Sequence, residues 1–155
     1  MKVLILTYYW PPAGGSGVQR WLKFVKYLQD FGIEPIVYTV DNANYPKLDS
    51  SLENQISDDI TILKQPIWEP TDLFLSRKNT SSKTTIANST KNGFLSFIRG
   101  NFFIPDPKIF WVKPSVKYLN NYLKNNAIDV IISSGPPHSM HLIAKTMSEE
   151  FNIPW

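Results

Sequence analysis

The sequence predicts an α/β domain built on a doubly wound, mainly parallel sheet, and three observations predict it. An apolar run at residues 2–8 leads straight into a glycine-rich loop and then into a helical apolar period. A second apolar run follows that helix at once, the order a parallel βαβ unit requires. Near the end, Asp129–Ser134 (Asp-Val-Ile-Ile-Ser-Ser) repeats the arrangement, running into Gly135-Pro136-Pro137-His138 and another helical stretch.

Each element has its own warrant. Lys2–Tyr8 reads as a buried parallel strand, bounded by Pro11-Pro12 and glycines. From Val18 the period changes: Val18, Trp21, Val25, Leu28 and Phe31 give one apolar helix face, while Arg20, Lys23, Lys26 and Asp30 face elsewhere. Gly32 ends that helix as a left-handed cap. Ile33–Val40 is the second strand, joined to the first by a crossover expected to be right-handed. Residues 45–57 are polar and helical in part, and Asp59–Gln65 is the third strand through Ile60, Ile62 and Leu63.

The pattern then dissolves. Residues 79–92 are almost wholly polar and cannot bury enough apolar surface to offset ordering entropy, so a mobile surface insertion is expected there. Pro114 stands near the start of a helix running to about Asn126, with Val116, Leu119, Tyr122 and Leu123 as its apolar face. After the strand at 129–134, a helix from Ser139 buries Met140, Ile143, Ala144, Met147 and Phe151, a stripe that is core packing. Ile153-Pro154-Trp155 falls where a further strand should begin, so 1–155 is expected to be a fragment, a single domain itself truncated, or one half of something larger.

Composition narrows the function classes. At 155 residues with 43% apolar content, the chain suits one globular domain. No apolar run approaches the ~20 residues that cross a bilayer, and Val3–Leu6 is too short for a signal-peptide core. The cytoplasm is the expected compartment. With no cysteine, disulfides and thiolate metal sites are excluded, and two histidines exclude a histidine-rich metal centre.

The net charge of +3 hides an asymmetry. Residues 73–124 carry nine Lys/Arg against one acid, Asp106, whereas the remainder carries seven basic and twelve acidic residues. Inside the basic third, residues 94–111 are rich in Phe and Ile. Rings at a lipid interface beside lysines would give peripheral contact with the inner face of a membrane. The plainer alternative is that the rings pack under the domain. Nucleic acid fits less well, since no recognition helix or stacking motif accompanies the basic residues.

The glycine loop carries the chemistry. Gly14, Gly15, Ser16 and Gly17 sit between a strand and a helix, where unpaired backbone N–H groups and the positive end of a helix dipole attract anions. A tight turn alone would also explain the glycines. A Walker loop is ruled out because Gly17 is followed by Val18, not Lys-Ser/Thr. The dinucleotide fingerprint has its first half in Gly15-Ser16-Gly17, but Arg20 stands where its third glycine belongs. Asp41, at the end of the second strand where a ribose-binding acid belongs, keeps a nicotinamide or flavin oxidoreductase as an alternative. A non-catalytic α/β interaction module is the other.

Leu4-Ile5-Leu6-Thr7-Tyr8-Tyr9-Trp10-Pro11-Pro12 followed by Gly14-Gly15-Ser16-Gly17-Val18-Gln19-Arg20 resembles the opening of retaining family 4 glycosyltransferases. Ile132 to Ser139 is similar to the loop after the fourth main strand in bacterial members, and Ile104-Pro105-Asp106-Pro107 with Phe110-Trp111 is similar to another of their segments. The resemblance covers most of the chain outside 79–92. It implies the N-terminal half of a GT-B fold, two Rossmann-like domains facing across a cleft, with the C-terminal donor-binding domain absent from this sequence. It implies transfer of a sugar from a nucleotide-sugar donor to a glycan or lipid-linked acceptor, as in cell-surface polysaccharide assembly, with no metal or other cofactor. This fragment alone is then expected to be inactive. Gly14–Gly17 would lie near the donor diphosphate.

His138 follows a strand's carboxyl end and is the candidate catalytic residue, in the place where such enzymes hold the transferred sugar or departing phosphate. His141 reads as a partly buried helical residue. Arg20 either faces the cleft or is solvated, and Ser133 and Ser134 read as satisfying local backbone groups.

Overall fold

The computed structural model describes residues 1–68 and 104–155. Four strands form one sheet: β1 (Lys2–Thr7), β2 (Glu34–Val40), β3 (Thr61–Gln65) and β4 (Val130–Ser134). Its order is β3-β2-β1-β4 and every neighbouring pair is parallel. Among the described residues three helices flank it: α1 (Ser16–Leu28), α2 (Val112–Leu123) and α3 (Ser139–Phe151). The α/β, doubly wound expectation is met. The insertion at 79–92 and the phenylalanine cluster at 94–103 lie outside the described residues.

Strand alternation builds two cores from one sheet. On one face, Val3, Ile5 and Val37 pack with Val18, Leu22 and Val25 of α1. On the other, Leu4, Leu6, Ile36 and Tyr38 pack with Leu119 and Leu123 of α2 and Met140, Ile143 and Met147 of α3. β1 is buried on both faces, which is why its sequence is continuously apolar. Each such side chain removed from water contributes roughly 1.5–3 kcal/mol before entropy is charged against it.

Some local expectations need correction. α1 starts at Ser16, two residues before the apolar period, because Gly15 takes the N-cap position at φ 127°, a conformation suited to glycine. The helix then tightens into a 3₁₀ turn at Gln29–Phe31. The turn changes the angular period, so Phe31 leaves the buried stripe and is 79% exposed. Leu22, four residues after Val18 and three before Val25, belongs to that stripe by ordinary helical spacing. Gly32 does end the element with φ 69°, as expected. The 45–57 segment contributes one 3₁₀ stretch, Ser50–Gln55, capped by Asp49.

At its last residue, Trp111, the 94–111 segment follows the packing alternative. Trp111 is fully buried, stacked on Tyr38 with ring centroids 5.4 Å apart, and its indole N–H donates to the Gln65 carbonyl at 3.0 Å. Beyond α3 the chain returns to β4, where the Ile131 N–H donates to the Pro154 carbonyl at 2.8 Å. Among the described residues no helix is long and apolar enough to cross a membrane.

Candidate functional site

The strand order dictates where a ligand fits. From β1 the chain winds one way to β2 and β3, and then crosses back to place β4 on β1's other side. The loops leaving β1 and β4 therefore diverge and open a crevice at the carboxyl ends of the strands, the usual ligand position in open α/β sheets. Gly14–Gly17, Arg20, His138 and His141 sit on one of these two loops or the helix that follows it, Ser133 and Ser134 end β4, and Asp41 follows β2.

The first wall is the loop from Tyr8 to Gly15. It is clamped to a neighbouring segment: the Gly14 N–H donates to the Lys47 carbonyl at 2.9 Å, and the Asp49 N–H to the Pro12 carbonyl at 2.8 Å. Thr39 Oγ1 and the Tyr45 hydroxyl both donate to the Tyr8 carbonyl, at 3.3 and 3.1 Å. Burial pushes the Tyr45 hydroxyl up to about 12 from its ordinary 10.0.

The three glycines play different parts. A side chain on Gly14 would come within 3.1 Å of Asp49 Cβ and 3.2 Å of Lys47 Cγ, so its bareness serves the clamp. Gly15 supplies the positive φ that turns the chain into α1. Gly17 faces open space, with nothing within 4 Å of a side chain placed there. Ser16 and Gly17 are exposed, no side chain caps α1, and its first turn holds no acid, so the helix presents donor N–H groups outward.

The second wall is the end of β4. Arg20, one turn into α1, spans the crevice and places Nη2 3.5 Å from Ser134 Oγ, a long contact at the limit of a hydrogen bond. Ser133 Oγ accepts the Trp155 indole N–H at 2.8 Å and lies 2.8 Å from His141 Nδ1. Both serines thus bond side chains rather than the backbone groups expected from sequence. Asp106 holds the start of α3 in place of a local cap, accepting the Ser139 N–H and Ser139 hydroxyl at 2.7 Å each.

His138 immediately precedes α3 and is exposed, with its ring centroid 5.7 Å from that of half-buried His141. The crevice thus brings Arg20 and Ser134 together and sets both histidines beside Gly135. Sequence reasoning missed the capping role of Asp106 and the part played by Trp155. Asp106 carried a signal as the lone acid in the basic third; Trp155 carried none.

Concave surfaces elsewhere among the described residues lie under Trp10, beside Leu22 and Ile60, and along α2 at Val112, Val116 and Asn120. Among the described residues no group of three or more His, Cys, Asp or Glu is placed to hold a metal ion.

Neither a protein-family model nor a curated protein matches the sequence. Among solved structures, the fold is similar to apo UGT2 of Phytolacca americana, a glycosyltransferase of GT-B architecture, with a TM-score of 0.53 at 14% identity. The match covers 99% of this chain and 28% of that one, so this chain spans a little over a quarter of that structure's length. At this identity the likeness is one of fold alone, a Rossmann-like α/β domain.

Proposed function

We propose that this chain is the N-terminal, acceptor-side domain of a retaining, family 4-like glycosyltransferase that moves a sugar from a nucleotide donor to an acceptor hydroxyl. One observation carries the reading: Arg20, one turn beyond the open Ser16–Gly17 start of α1, reaches the end of β4 at the topological switch point. A crevice rimmed by N–H donors and a guanidinium suits the diphosphate of a sugar nucleotide. Transfer breaks the bond between the anomeric carbon and the diphosphate oxygen, which departs with the electron pair. Positive charge grows on the sugar ring while negative charge grows on the leaving oxygens. Fixed donors stabilise those oxygens most in the transition state, where their charge is developing.

A second domain, supplied by a longer parent chain, would close the cleft and hold the nucleotide and most of the sugar. The acceptor class is a glycan or lipid-linked glycan, in cell-surface polysaccharide or glycoconjugate synthesis at the cytoplasmic side of the membrane. Membrane contact belongs to residues 94–110, and co-sedimentation with anionic vesicles at low and high salt tests it.

The deciding experiment is a titration of the parent protein with UDP- and GDP-sugars against NAD(P). Turnover of a sugar nucleotide with retention of anomeric configuration is the expected result. Sugar-nucleotide turnover of none, with binding of NAD(P), would transfer the assignment to the oxidoreductase reading through Asp41.

A further inference from the structure

At the end of β4 one hydroxyl joins an indole to an imidazole. The Trp155 indole N–H donates to Ser133 Oγ at 2.8 Å, and the same oxygen lies 2.8 Å from His141 Nδ1. An indole nitrogen can only donate, so Ser133 receives that proton. Of Ser133's two partners, only His141 Nδ1 can accept the hydroxyl's own proton. With Nδ1 acting as acceptor, the ring proton resides on Nε2.

Nε2 lies on the opposite side of the ring, beside the loop that leaves β4. A methyl group placed on Gly135 would come within 2.9 Å of His141 Nε2 and 3.1 Å of His138 Nδ1, so the bare glycine leaves both rings their room. On the adjoining residue, Ser134, the Arg20 guanidinium arrives from α1. The groups offered here are an imidazole N–H and a guanidinium, the latter carried one turn beyond the uncapped start of α1. An array weighted so heavily towards donors matches an oxyanion better than a sugar hydroxyl, which must itself find an acceptor.

From this geometry we infer that His141 is the ligand-contacting histidine of the crevice. It donates Nε2–H to a phosphate oxygen beside Arg20, and Ser133 and Trp155 act as positioning residues that hold its tautomer. His138 is exposed, and its side chain makes no hydrogen bond among the described residues. The inference rests on the phosphate reading of the crevice proposed above, and supplies the residue that reading lacked on the β4 side.

Long-range proton–nitrogen spectra of the histidine-labelled chain test it, with pyrophosphate as ligand and inorganic phosphate in a parallel arm. The expected result is an Nε2–H tautomer at His141 before ligand and a saturable shift of Nε2 on titration, the diphosphate acting at lower concentration. Ser133→Ala is expected to give a mixed tautomer population and pyrophosphate binding weaker by on the order of tenfold. His141→Gln sets an amide N–H near the former Nε2 and should keep most of the affinity, whereas His141→Asn reaches only the Nδ1 position and should lose it.

An Nδ1–H tautomer in the free chain, or a pyrophosphate response at His138 with His141 unmoved, overturns the assignment. The enzyme reading fails separately. A parent protein that turns over no sugar nucleotide, yet shows the His141 response, overturns the glycosyltransferase proposal and leaves the anion site standing.

Discussion

Arg20 Nη2 lies 3.5 Å from Ser134 Oγ, although the two residues stand 114 positions apart in the sequence. The contact joins the first turns of α1 to the end of β4 across the crevice. It links the two loops that the strand order forces apart, and puts the Arg20 guanidinium on the residue next to Gly135, which both histidines flank.

Arg20→Ala should separate binding from folding. The side chain is exposed, so its removal should change unfolding free energy by less than ~0.5 kcal/mol. A charged donor lost from a phosphate contact costs more, on the order of a tenfold loss in pyrophosphate affinity. Calorimetric titration beside urea denaturation checks both halves. An affinity equal to wild type would assign Arg20 to the solvated surface.

The glycines should part in the same way. Gly15→Ala is expected to destabilise the fold by roughly 1–3 kcal/mol, because φ 127° with ψ 169° lies where residues with a side chain are strained. Gly17→Ala meets nothing in the described structure and should leave stability within ~0.5 kcal/mol or slightly raise it. If an anion approaches that backbone, the same methyl should weaken its binding. Equal stability losses for the two variants would contradict this division.

Asp106→Ala removes the cap that α3 receives from a distant segment. The expected loss is about 1–2 kcal/mol, since the Ser139 N–H and hydroxyl both lose their acceptor. Urea denaturation reads the stability. Histidine resonances should move as well, because the start of α3 carries His138 and His141. Asp106→Asn, which keeps a carbonyl acceptor, should recover part of both effects.

Alkaline pH should reveal the buried phenol behind the glycine loop. Tyr45 has its pKa raised by burial to about 12, above the ordinary 10.0. The folded state therefore binds this proton more tightly than the unfolded state. Stability is full below pH 10, falls between about pH 10 and 12 as the unfolded chain ionises first, and levels above the folded value. Tyr38 is shifted in the same direction by its own burial. Tyr45→Phe should make the fall shallower, as followed by denaturation midpoints and tyrosinate absorbance. An unchanged slope would remove Tyr45 from the account.

The elements were readable because their signals are local. β1 is apolar at every core position since the sheet is covered on both faces, and α3 shows its stripe at helical spacing. Gly32 announced its left-handed cap by lacking a side chain. Phe31 was misassigned because the turn from α-helix to 3₁₀ geometry leaves no mark in an apolar period. Trp111 was legible as a large aromatic but not as a core residue, because burial depends on Tyr38 and Gln65, far away in the chain.

By itself the sequence determined the α/β class and the strand–glycine–helix opening, both through hydrophobic period and backbone freedom. Tertiary structure alone decided how the two walls meet. It set Arg20 against Ser134, gave Asp106 to α3, and aligned Trp155, Ser133 and His141 into one line of hydrogen bonds. Such contacts depend on direction and distance between residues far apart in the chain, and no local pattern encodes them. The glycine loop was legible in the sequence, and the parallel pairing of β1 with β4 brought the end of β4 beside the strand that leads into it.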